Sequence, residues 1–195
     1  MNKIELLPPG QYNSNGKWPV LTAGRSPQIN GKEWKLSIDG LVENSVVLTY
    51  EELIKLNPIN QISDFHCVTT WSLLQTNWTG IPWSTIETLV KPKSEAKYVL
   101  QHSCDDNQYT TGTSIEELRE PNVLIGYEHE GQPIPTEHGG PLRMIIPQLY
   151  AYKSAKWLCR IEFLAQKKLG FWEVRGYSEQ ANPWKEQRYT EDDEI

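Results

Sequence analysis

Gln61-Ile62-Ser63-Asp64-Phe65-His66-Cys67-Val68 has the residue types of a β-strand, and Thr69-Thr70-Trp71 follows directly. β-Branched and aromatic residues favour a pleated, half-buried segment. The strand ends on a cysteine followed by polar residues. Adjacent side chains on a strand point to opposite faces, so His66 and Cys67 look in different directions. Cys67 then has two readings. A free cysteine is most often a small buried hydrophobe; a thiolate at a strand end is also a ligand for a soft metal centre.

Strand-like segments recur on either side, at 97–103, 123–129, 142–146 and 157–164, with a further one at 172–177. Residues 34–42 read the same way, with Trp34, Leu36 and Ile38 alternating before Asp39-Gly40. Between them lie short helices whose starts carry capping boxes, a hydroxyl residue followed three positions later by Glu. The pairs are Thr49 with Glu52, Ser84 with Glu87, and Ser114 with Glu117, and Pro58, Pro92 and Pro121 end the helices. Strands dominate without a regular βαβ alternation, which predicts a strand-rich, mixed α+β fold with short inserted helices. Residues 1–32 read as an extended arm rich in Pro, Gly and Asn, in which Trp18 could tie the chain down. Residues 33–189 form the domain, and 190–195 an acidic, frayed tail.

The chain of 195 residues suits one domain with a sizeable core. Its net charge of −6 and pI near 5.3 argue against a nucleic-acid partner, which requires a basic footprint. Eight Trp and nine Tyr are many for this length and suit a deep, aromatic-lined pocket. No stretch is long and apolar enough to span a membrane. Residues 1–10 show neither a signal peptide nor a twin-arginine pair, so a cytoplasmic protein is expected. In a reducing compartment Cys67, Cys104 and Cys159 are expected to be thiols rather than a disulfide framework.

Three further groups carry candidate chemistry. His102-Ser103-Cys104-Asp105-Asp106, with His66 and Cys67, offers the ligand types of a zinc site, although strand alternation and the lack of a CxxC pair weigh against it. Glu137-His138-Gly139-Gly140-Pro141-Leu142-Arg143 is either a surface turn or a close-approach loop with a guanidinium for phosphate. Tyr150-Ala151-Tyr152-Lys153-Ser154-Ala155-Lys156-Trp157 is either an exposed amphipathic turn or a set of donors for an anionic cofactor. A cysteine hydrolase built on Cys67 with His66 or His138 has no signature to support it, and no phosphate-loop or GxGxxG pattern is present.

Taken in order, these motifs resemble the sulfite oxidase-type molybdopterin-binding oxidoreductase domain, in its short single-domain form. The likeness runs from about Trp34 to Tyr189, and Asp39-Gly40-Leu41-Val42, Trp78-Thr79-Gly80 and Gly170-Phe171-Trp172-Glu173-Val174-Arg175-Gly176-Tyr177 add to it. The resemblance implies a molybdenum ion held by Cys67 and by the pterin dithiolene. It also implies cofactor contacts from His66, Ser103, His138 and Arg143, and from the phosphate-binding segment Ser154, Ala155 and Lys156. The function it implies is oxygen-atom transfer to or from a small substrate, sulfite-, sulfoxide- or N-oxide-like, with electrons leaving through a separate partner. No haem is expected. The rival is a non-catalytic molybdopterin-binding or carrier protein.

Overall fold

The computed structural model describes residues 7–29 and 31–194, so the reading of residues 1–6 lies outside them. In chain order the strands and helices begin with β1 (Tyr12–Asn13), β2 (Lys35–Gly40), β3 (Val46–Thr49) and α1 (Tyr50–Leu53). The long pair β4 (Ile59–His66) and β5 (Trp71–Pro82) leads into α2 (Trp83–Val90). Then come β6 (Tyr98–Ser103), β7 (Thr110–Ser114), α3 (Ile115–Leu118), β8 (Leu124–His129), β9 (Gln132–Pro133), β10 (Arg143–Ile145) and β11 (Leu158–Leu164). The fold is strand-rich α+β, as expected.

The strands form two sheets. One runs β1-β5-β8-β10, with β4 beside β5 and β9 beside β8; the other runs β3-β2-β11-β6-β7. Most pairs are antiparallel, while β1 on β5 and β11 on β2 are parallel. The main core lies among buried apolar side chains that include Leu36, Ile38, Trp83, Ile86 and Phe163. A second cluster gathers Phe65, Cys67, Trp71, Leu73 and Trp78. Fully burying one such side chain contributes about 1.5–3 kcal/mol, so this second cluster fixes the end of β4 firmly.

Two of the three capping boxes form. Thr49 and Glu52 satisfy each other's backbone donors at α1, as Ser114 and Glu117 do at α3. The Ser84 box does not, because β5 passes straight into α2 and puts the N-cap at Pro82; Glu87 instead pairs with Arg119. Residues 172–177 are not a strand. Glu173–Arg175 form a 3-10 turn, with Glu173 buried on Lys153 and Thr111. Strand β5 was not expected at all. Its Gln, Asn and Gly residues are poor strand formers, and Gln75 has φ of 51°, yet pairing with β4 and β8 on its two sides overrides that composition. The acidic tail is also held over its described part, since Asp193 accepts from Ser178 and Glu179 while Asp192 accepts from Arg188 and Tyr189. No helix among the described residues is long and apolar enough to cross a membrane.

The expectation of three thiols is corrected. Cys104 and Cys159 form a disulfide with Cα atoms 5.8 Å apart, and Cys67 is the free cysteine. Register explains the pairing: Leu158 lies opposite Ser103, and a bulge between Leu158 and Arg160 makes Cys159 the extra residue beside the end of β6. Denatured, unreduced protein should therefore titrate one thiol. Reduction should lower the unfolding free energy by about 2–4 kcal/mol in denaturant titration. Three titratable thiols before reduction would contradict the pairing.

Candidate active site

Cys67 sits where β4 turns back into β5. Its backbone N–H donates to Trp71 O at 2.9 Å, and its carbonyl accepts from Thr70 N–H at 3.0 Å. The arm supports the same turn, with the Gln11 amide donating to Cys67 O at 3.0 Å. From the other side Arg188 donates to Val68 O at 2.6 Å. Strand alternation then aims Phe65 and Cys67 to one face and His66 to the other. His66 is buried against Ser72, its Nδ1 lying 2.8 Å from the Ser72 hydroxyl. It therefore does not join the site, contrary to the sequence expectation.

The Cys67 side opens into a cavity of about 320 Å³, whose wall also includes Ser103, Arg143, Ser154 and Lys156. Residues separated by as many as 89 positions in sequence are thus brought together by the folding of β4, β6, β10 and the segment before β11. Burial pushes the Cys67 thiol pKa up, while Thr69, at 3.1 Å from Sγ, and the charges of Lys156 and Arg143 pull it down. The recorded polar partner of Cys67 is a hydroxyl, which removes the cysteine-hydrolase reading based on His66 or His138. The zinc reading also falls: Cys104 is spent in the disulfide, and no group of three or more His, Cys, Asp or Glu among the described residues could hold a metal.

Arg143 starts β10 and is only 2% exposed. Its guanidinium donates to three backbone carbonyls, of His138 at 2.7 Å, Ser154 at 3.2 Å and Met144 at 3.3 Å. It also lies 4.9 Å from the centre of the Phe65 ring. Burial lowers its pKa to about 9. Lys156 donates to Leu21 O and Glu137 O, each at 2.9 Å. Gly139, at φ of 100°, makes room for it, because a Cβ there would come within 2.7 Å of the Lys156 side chain. No carboxylate among the described residues pairs with Arg143 or Lys156. Asp105 faces the cavity too, but its Oδ1 accepts the Tyr109 amide.

Two buried donors in the wall, Ser103 Oγ and Trp71 Nε1, have no partner among the described residues. Buried polar groups without partners are costly and uncommon, and in a cavity wall they mark where a ligand binds. The wall thus combines a soft thiol, two cations lacking counter-anions and two unused donors. It fits an anionic ligand that carries a metal. The family described as "Oxidoreductase molybdopterin binding domain" matches residues 23–172. This chain belongs to that family.

Among curated relatives, the oxidoreductase YuiH of Bacillus subtilis is 37% identical over 95% of this chain and 93% of its own length. The protein-methionine-sulfoxide reductase catalytic subunit MsrP of Ralstonia nicotianae is 29% identical over 75% of this chain, which spans only 48% of MsrP. The sulfane dehydrogenase SoxCD of Paracoccus pantotrophus shares the fold at a TM-score of 0.66 over 73% of this chain and 41% of its own, with 19% identity.

In this molybdopterin-binding domain two further expected contacts sit outside the cavity wall. Ala155 is fully buried, and its amide is already used by Gln101 Oε1 at 3.1 Å. The His138 ring stacks on Trp18 at 3.9 Å, and its Nδ1 is buried without a partner. Burial and the neighbouring cations Lys156 and Arg143 lower the His138 pKa to about 4, so the ring is neutral at pH 7. Aromatic walls come from Tyr109, Tyr152, Trp157, Trp172 and Tyr177. The sequence motifs held all of these but Tyr109 without assigning them to a cavity wall, and the high Trp and Tyr count carried no positions.

Burial, with Arg143 nearby, lowers the Lys156 pKa to about 7 from an ordinary 10.5. Below that value the ammonium is charged and holds an anion; as pH rises through it, the charge and the anion affinity are lost. Competitive acylation of cofactor-free protein across pH should give a Lys156 midpoint near 7 that moves upward with added inorganic phosphate. A midpoint near 10.5 would contradict this.

Proposed function

We propose that this cavity serves an oxygen-atom transfer reaction on a small sulfite-, sulfoxide- or N-oxide-like substrate, with molybdenum-molybdopterin as cofactor. The observation that carries the reading is the Cys67 thiol sharing one cavity with two cations, Arg143 and Lys156, that no carboxylate among the described residues balances. The relative named as a methionine-sulfoxide reductase supports the sulfoxide class.

In this reading Cys67 is the protein ligand to molybdenum. Its thiol must lose a proton to bind, and the positive charges of Arg143 and Lys156 favour the thiolate that burial opposes. Lys156 and Arg143 anchor the cofactor phosphate, with the Ser154 hydroxyl held beside them by the Ile146 amide at 3.0 Å. Ser103 Oγ gains through the cofactor the partner it lacks among the described residues. Neutral His138 supports the pterin side through Trp18. When bound, the cofactor supplies the redox change that oxygen-atom transfer requires. The chain supplies placement, charge and an aromatic enclosure that limits water. A separate one-electron protein takes up or delivers the electrons.

Protein made in a molybdenum-sufficient host should contain molybdenum near one equivalent and release a fluorescent oxidised pterin. Cys67→Ser should lose most of the metal while remaining folded. A folded wild-type protein with neither molybdenum nor pterin would overturn the proposal.

A further inference from the structure

The arm before the domain supplies part of the cavity wall. Tyr12 and Asn13 pair with Trp71 and Ser72, which anchors the arm beside the turn that carries Cys67. Five residues later the Trp18 ring enters a slot between His138, stacked at 3.9 Å, and His129, at 4.5 Å. Its edge meets Trp78 at 5.1 Å, and the Arg143 guanidinium lies 5.4 Å away. Beyond Trp18 the chain runs along the cavity wall. Leu21 O accepts from Lys156 Nζ at 2.9 Å, and Ala23 O accepts from the Asn107 amide at 3.2 Å, in the loop that follows β6. Trp18, Pro19, Leu21, Thr22 and Ala23 all line the cavity. The outer side of this stretch faces solvent, with Val20 48% and Leu21 49% exposed. Residues 18–22 lie outside the segment matched by the family.

We propose that residues 18–23 are a strap that retains the bound cofactor, and that Trp18 is the positioning residue that latches it. The inference rests on the cofactor reading above. Residues 19–23 have solvent on one side and the cavity on the other; among the described residues two hydrogen bonds join them to the domain, and the Trp18 slot supplies the rest of their hold. Lys156 links strap and ligand. Its ammonium donates to the Leu21 carbonyl and faces the space where an anion binds, so occupancy of the cavity and closure of the strap reinforce each other. Such coupling is reciprocal: if the strap slows cofactor loss, the cofactor must also protect the strap. A wall formed only for packing would show neither effect.

The test uses the full-length holoprotein as purified, with pterin and molybdenum measured through successive desalting steps. Trp18→Ala should release both roughly tenfold faster than wild type, the ratio expected when aromatic contacts of this kind are lost. Trp18→Phe keeps a ring in the slot and should restore retention. In wild type, hydrogen exchange of the amides at 18–23, excluding Pro19, should slow with cofactor bound and quicken once it is removed. Equal release from all three proteins, or strap exchange unchanged by the cofactor, overturns the strap. The exchange measurement decides the matter if Trp18→Ala fails to fold. Wild-type protein isolated without pterin overturns the cofactor reading itself, and the strap falls with it.

Discussion

Arg143 lies inside the protein, where its guanidinium meets three carbonyl oxygens and two aromatic rings but, among the described residues, no carboxylate. Burying a charge costs several kcal/mol unless it is paired and hydrogen-bonded. The carbonyls occupy three of the five N–H donors and leave the charge standing. Much of the surrounding architecture serves this arrangement. The turn from Glu137 to Arg143 brings the His138 carbonyl inward, and the segment after the 3-10 turn Ala151–Lys153 brings the Ser154 carbonyl. Lys156 then adds a second cation beside the first. The cavity is therefore pre-charged for an anion, and the burial of both cations strengthens that preference.

Against that positive wall stands one thiol. Cys67 is held by local turn geometry on its own strand pair, yet its ionisation is tuned from the other side of the cavity. Burial and charge pull in opposite directions, with burial the larger. The balance keeps the side chain a thiol, and in the proposed reading metal binding displaces its proton. That division suits a protein whose cofactor carries the redox chemistry and whose side chains set position, charge and access.

The parts of the structure that were legible in the sequence are those decided by neighbours along the chain. Two capping boxes formed because Thr49 with Glu52, and Ser114 with Glu117, need nothing beyond one helical turn. Ser84 failed since the strand before it set the helix start. Strand alternation separated His66 from Cys67 in principle, but the family likeness kept His66 among the expected contacts; the Ser72 hydroxyl shows where the ring goes. Strand β5, the disulfide and Trp18 all depend on register between distant segments. Nothing local in Trp71 to Pro82, in Cys104 and Cys159, or in the arm announces those partners. The sequence carries the candidate site as separate motifs that only the family likeness joins around one cofactor, and the fold shows that Cys67, Ser103, Arg143, Ser154 and Lys156 share a cavity while Ala155 turns into the core.

The central claim is that Cys67 places its sulfur on molybdenum. The most direct measurement is molybdenum X-ray absorption, comparing wild-type holoprotein with the minor fraction of Cys67→Ser that still carries the metal. This account predicts one sulfur neighbour fewer in the variant at an otherwise sulfur-ligated metal. An identical sulfur count in the two proteins would contradict it.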